Sequence, residues 1–97
     1  MSEIVKKQLT QIGDVGVFLV DGNEVKKRYS MDFVEGGNDM AYPTFIPKGE
    51  VWIDWRMNRK EWMPIMIHEL AERLRMKKGK SYEESHAEAN AVERQVR

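Results

Sequence analysis

The chain has only two histidines, His68 and His86, and both lie among carboxylates. His68 is followed at once by Glu69 and, one helical turn later, by Glu72. Cysteine is absent, so a bound metal must be held by imidazole and carboxylate. His68 and Glu72, four residues apart, can chelate an ion from one helix face. With His86 they form two imidazoles and a carboxylate, a common donor set for zinc or another divalent metal. Glu69 is rotated to the side of that pair. There it can act as general base toward a water activated by the metal, then hand the proton to a leaving amine.

Two helices must position these groups. Asn58 can cap a helix running to about Lys78, with Pro64 in its first turn or at a kink. Gly79 is a natural stop, and Lys77, Lys78 and Lys80 suit the negative end of the helix dipole. Ser81 and Glu84 form a capping box that starts a second helix running to the chain end. On the first helix, Met63, Met66, Ile67, Leu70 and Leu74 form an apolar stripe expected to pack on a sheet. Ile65 and Met76 flank the opposite face, so His68 and Glu72 should also be covered. On the second helix, Tyr82, Ala89 and Val96 share a side with His86 and Glu93. Burying that small stripe turns both inward, and Ala87 and Ala91 permit a close approach.

Upstream the pattern is strand-like. Val15–Val20 is a short apolar run, read as a buried strand. Asp21-Gly22-Asn23 carries a hairpin turn signal. Val25, Tyr29, Met31 and Phe33 then alternate with polar residues, which predicts a half-buried strand. Glu35–Tyr42 reads as a loop, in which Asn38 and Asp39 could rim a cleft but are adequately explained by loop chemistry. Pro43 and Pro47 leave room only for a short or edge strand at Thr44–Ile46. Val51, Ile53, Trp55 and Met57 give the clearest strand. Residues 1–13 fit either a helix or the first strand. The expected fold is α+β: a three- to four-stranded, largely antiparallel sheet followed by two C-terminal helices. It forms a single domain over 1–97, with strands and loops in 1–57 and a helix–turn–helix in 58–97.

Composition narrows the partners. Lys and Arg balance Asp and Glu at net charge zero, so no general field draws the chain to nucleic acid or an anionic membrane. The basic cluster Arg73–Lys80 is offset by nearby glutamates. The N-terminus lacks the character of a signal peptide and no apolar run reaches a membrane span, so the cytoplasm is the expected compartment.

The helix His68-Glu69-x-x-Glu72, followed by Tyr82-x-x-x-His86, resembles the active site of small zincin-like metallopeptidases of phage and prophage. The similarity runs from Phe33 to Glu93 and includes the Gly36-Gly37 loop and the strand Val51–Asp54. It implies a minimal zincin-like fold, zinc as cofactor, Glu69 as general base and a peptide or protein substrate. Glu72 stands where the wider zincin motif has a second histidine. Glu72 is thus either the third ligand or an outer group holding a histidine ring, with Glu93 as ligand in its place. Tyr42 or Tyr82 could stabilise an oxyanion. The plainer reading of the helix is a pair of i, i+4 contacts, His68 with Glu72 and Glu69 with Arg73. A non-enzymatic alternative is a phage-type interaction module. In it a metal, or a metal-free His–carboxylate network, staples the two helices, and the region of Trp52, Trp55 and Trp62 meets a host or phage protein.

Overall fold

The computed structural model describes residues 4–97. Four strands form one sheet: β1 (Lys6–Ile12), β2 (Val15–Val20), β3 (Gly36–Asn38) and β4 (Glu50–Asp54). A short helix, α1 (Gly22–Arg28), follows β2, and α2 (Trp62–Lys77) and α3 (Tyr82–Val96) close the chain. The fold is the expected α+β arrangement. The strand order is β1-β2-β4-β3. The two outer pairings are antiparallel, whereas the central β2–β4 pairing is parallel, with Val17 opposite Val51 and Leu19 opposite Ile53. A parallel pair needs a crossover connection, and α1 and β3 both lie within it. Residues 4–13, ambiguous by periodicity, contain edge strand β1. Its register slips between Gln8 and Thr10, a device that blunts an exposed edge.

The central strands are buried on both faces. Val15, Val17, Leu19, Val51 and Ile53 form one cluster with Ile65 of α2, and Met57, Trp62, Met66 and Leu70 pack against it. Val20, Val25, Phe33, Ile46 and Trp52 form the other cluster beneath α1 and the long loop. The three tryptophans therefore do not make one surface. Trp52 lies in the second cluster, Trp62 packs on the first, and Trp55 is exposed.

The strand expected over Val25–Phe33 is not formed. Asp21 starts a helix instead of a hairpin: its carboxylate accepts from the backbone N–H groups of Asn23 and Glu24. Lys26, Lys27 and Arg28 occupy the last turn, where the helix dipole favours cations. The alternation came from one helical turn carrying Val25 and a loop carrying Phe33, each fully buried. The reverse error occurs at Glu35–Tyr42, where Gly36–Asn38 pairs with β4. No strand forms at Thr44–Ile46; Ile46 enters the core from a turn.

The C-terminal half follows its local signals closely. Asn58 caps a 3-10 turn, Arg59–Glu61, and Pro64 lies in the first turn of α2. Gly79 takes φ of 100°, a conformation that costs glycine little, and Ser81 caps α3 by accepting from the Glu84 N–H. The two covered faces of α2 are largely as expected: Met66 and Leu70 pack on the sheet cluster, and Ile65, His68 and Glu72 are buried. Met63 and Leu74, at the ends of the expected stripe, are exposed instead, and Glu69 is buried as well. The helix has turned its carboxylates toward the sheet and α3. Gly36 makes that approach possible: a Cβ there would lie 2.9 Å from both Ile65 Cγ2 and the Trp52 carbonyl oxygen. Gly36→Ala is therefore expected to cost about 1–3 kcal/mol through overpacking, measurable as a lower urea midpoint with unchanged slope. Wild-type stability in that variant would show that β3 and α2 separate freely.

Among the described residues no helix is long and apolar enough to cross a membrane.

Candidate metal centre

Ionisable side chains are seldom fully buried unless partnered. Yet α2 buries three within two turns: His68 and Glu69 are 7% exposed and Glu72 is 2% exposed. Their partners come from β3 and α3. The nitrogens of both imidazoles converge on one oxygen of Glu72. His68 Nε2 lies 3.3 Å from Glu72 Oε2, and His86 Nδ1 lies 2.7 Å from the same atom. The rings meet edge to face at 5.0 Å, and Tyr82 stacks on the outer side of His86 at 5.3 Å.

Helix α3 is docked at three levels. Glu88 receives Arg75 and Lys80 near the turn between the helices. At the far end, Arg97 bridges Glu93 and Glu61. At the crossing, Ser85 and Ala89 are completely buried. These two small residues let the helices approach, in place of the expected Ala87 and Ala91. Glu93 lies behind His68: its Oε1 is 2.9 Å from Nδ1, close enough for charge attraction, although Nδ1 makes no aligned hydrogen bond.

Sequence reasoning missed the contribution of β3. Asn38 is completely buried. Its Nδ2 donates to Glu69 Oε1 at 2.9 Å and to Glu72 Oε1 at 3.1 Å. Its neighbour Asp39 receives the Arg73 guanidinium at 2.6 Å and the Gly49 N–H at 2.8 Å. Arg73 therefore pairs with Asp39 rather than with Glu69, and the β3 loop is tied to α2 by two adjacent residues. The Gly-Gly-Asn-Asp run was the available signal, but three residues of strand are too few for periodicity to register.

Environment separates the two glutamates. Burial pushes the Glu69 carboxyl up to about 7, and the neighbouring charge of Glu72 adds to that; the Asn38 hydrogen bond opposes it. Burial also works against charge on Glu72, but hydrogen bonds from His68 and His86 outweigh it and hold the carboxyl below its usual range. The bond to Glu72 raises the His68 imidazole, against its own burial. Adjacent carboxylates with divergent pKa values are the pattern that separates an acid–base group from an ionised one.

These groups line a cleft of about 380 Å³ open to solvent. Asp32 and Glu35 stand at its mouth, Tyr42 and Tyr82 on its walls, and no Lys or Arg lines it. The Tyr42 hydroxyl donates to the Asp32 carbonyl at 3.0 Å, and burial pushes its pKa to about 12. Its proton is thus already committed. The Tyr82 hydroxyl hydrogen-bonds to no described residue.

His68, Glu72 and His86 each offer a ligand atom, all within 4.8 Å of one another. Around a tetrahedral ion with bonds of about 2.1 Å, ligand atoms lie about 3.4 Å apart. The His68–Glu72 separation already matches, and side-chain rotation can draw in the widest pair. The donor set therefore fits a divalent cation of the zinc type, and the three residues could hold one. Glu69 and Glu93 both line the cleft but do not belong to this three-donor group. Compared with protein-family models, curated proteins and solved structures, the chain matches none.

Proposed function

We propose that the protein is a metal-dependent hydrolase of peptides, of the zincin-like type its motif resembles, with His68, Glu72 and His86 holding zinc or another divalent ion. One observation carries this reading. A buried glutamate, tethered by Asn38, lies beside a three-donor group in an open cleft. A structural site would be closed and would have no use for Glu69. When bound, the ion supplies Lewis acidity that lowers the pKa of water. Glu69 takes the proton of the attacking water and returns it to the leaving amine. Burial raises the proton affinity of this carboxyl in the metal-free protein, which favours its taking up a proton. Asn38 steadies Glu69, and Tyr82 is the free donor that can face a developing oxyanion.

The cleft's charge favours a substrate class. Asp32 and Glu35, which line the cleft, form no ion pair with any described residue, and no Lys or Arg lines it. Peptides with basic side chains near the cleaved bond should bind better than acidic ones.

The test is metal content and cleavage in protein purified without a histidine tag. About one ion per chain is expected. Chelation should abolish cleavage of a Lys/Arg-containing peptide, and added zinc should restore it. Saturating metal at about a hundred times its Kd adds about 2.7 kcal/mol to stability, equivalent to 10 °C or more in Tm for a chain of this size. Protein that takes up no ion and shows no thermal shift with zinc, cobalt or manganese would overturn the proposal.

A further inference from the structure

We propose that Asn38 is a positioning residue that divides the two buried glutamates between their tasks, confining Glu72 to one ligand oxygen and keeping Glu69 out of the ligand set. This rests on the metal reading above.

The orientation of the Asn38 amide is determined by the backbone. Its Oδ1 accepts from the N–H groups of Met40 and Ala41, both at 3.0 Å. Flipping the amide would set its NH2 against those two donors, so the NH2 must point toward α2. The NH2 has two hydrogens and meets two acceptors, Glu69 Oε1 and Glu72 Oε1. Every polar atom of this completely buried side chain is satisfied. The residue is held further by its own carbonyl, which accepts from the Tyr42 N–H, and by the pairing of β3 with β4.

For Glu72 the consequence is an asymmetric carboxylate. Oε1 is occupied by Asn38, and Oε2 alone faces His68 and His86. A carboxylate so tethered offers a cation one oxygen, which leaves a coordination position for water. For Glu69 the same nitrogen acts as a restraint. The Asn38 bond turns the carboxylate by its Oε1 toward β3, and Glu69 offers no oxygen to the group in which His68, Glu72 and His86 converge. Loop chemistry alone does not account for this arrangement. The turn at Met40 and Ala41 uses only Oδ1, whereas the contacts to α2 use only Nδ2.

The deciding experiment uses cobalt(II) as probe. Its visible absorption is strong at coordination numbers four and five and weak at six. Asn38→Ser keeps a hydroxyl that can accept from the turn, but it is too short to reach the glutamates. Wild type is expected to bind one cobalt with intense visible bands. Asn38→Ser should keep its far-UV circular dichroism, bind cobalt about 10- to 100-fold more weakly, and lose band intensity as further carboxylate oxygens ligate. Asn38→Asp retains both acceptors for the turn and also removes the donors. It adds a charge, so only its spectrum is compared, and the same loss of intensity is expected. If either folded variant binds cobalt with the wild-type spectrum, Asn38 does not set the coordination. A wild-type protein that binds no cobalt would overturn the metal reading itself, and this inference with it.

Discussion

Glu69→Gln is expected to lower kcat/KM for peptide cleavage by at least about 100-fold, the least that removing a general base costs, while leaving the metal stoichiometry at the wild-type value. The same substitution should stabilise the metal-free protein at pH 8. Glu69 is buried, and its carboxyl is raised from 4.5 to about 7. The fold thus favours the protonated form. That contribution is fully present below the ordinary carboxylate range and is lost as pH rises through 7. His68, raised by its bond to Glu72, adds in the same direction. Ionising Glu69 in the metal-free fold costs on the order of 3 kcal/mol. Glutamine is nearly isosteric, can still accept from Asn38 and carries no charge. Urea titrations of metal-free protein at pH 5.5 and pH 8 measure the effect. Wild type should weaken between the two and Glu69→Gln should weaken less. A catalytic group that is destabilising in the resting fold shows this opposition between activity and stability. If Glu69→Gln cleaved normally, or were the less stable protein at pH 8, Glu69 would be a structural carboxylate.

The elements that hold the site were legible to the degree that their signals were local. Asn58, Pro64, Gly79 and the Ser81–Glu84 box mark helix ends through contacts within a few residues. They placed α2 and α3 nearly correctly, and with them His68, Glu72 and His86. The strand β4 was equally plain at Val51 and Ile53, although it ends at Asp54, and Trp55 and Met57 of the expected run lie in the turn beyond it. Misreadings arose where short elements meet tertiary constraints. Val25 and Phe33 are both core residues, but a helix and a loop deliver them, and alternation over nine residues imitated a strand. The Asp21 cap followed by Glu24 was the local signal that could have corrected it. On α2 the ends of the apolar stripe, Met63 and Leu74, are exposed while Glu69 is buried, because burial of Glu69 and Glu72 is satisfied by Asn38, His68 and His86. Those partners lie 14 to 34 residues away except for His68. A buried carboxylate network leaves no hydrophobic trace in the sequence, and Asn38, on a three-residue strand, leaves no periodic one.

The choice between Glu72 and Glu93 as the carboxylate ligand has a sharp experimental outcome. Glu72→Gln is expected to abolish detectable metal binding, whereas Glu93→Gln should weaken it by about 10- to 100-fold, the usual effect of losing an outer partner. Glu72 Oε2 is the atom on which both imidazoles converge, and Glu72 is 2% exposed. Glu93 reaches only His68, from the ring's other nitrogen, and is shared with Arg97 on the α3 terminus. Truncation separates the two still further. Glu72→Ala leaves two imidazoles and one hydrogen of the Asn38 amide facing an empty buried space. Breaking such a network from one side costs about 3–5 kcal/mol, against a whole-domain stability of about 5–15 kcal/mol. The metal-free Glu72→Ala protein should therefore melt at least about 10 °C below wild type, because Glu72 is the junction that ties His86 to α2. Glu93→Ala removes a partly exposed pair and should cost about 1 kcal/mol or less. Isothermal titration of zinc into the two glutamine variants, with thermal melts of the two alanine variants, reads both quantities. The reverse order in the titrations would make Glu93 the ligand and Glu72 the residue that merely orients His86.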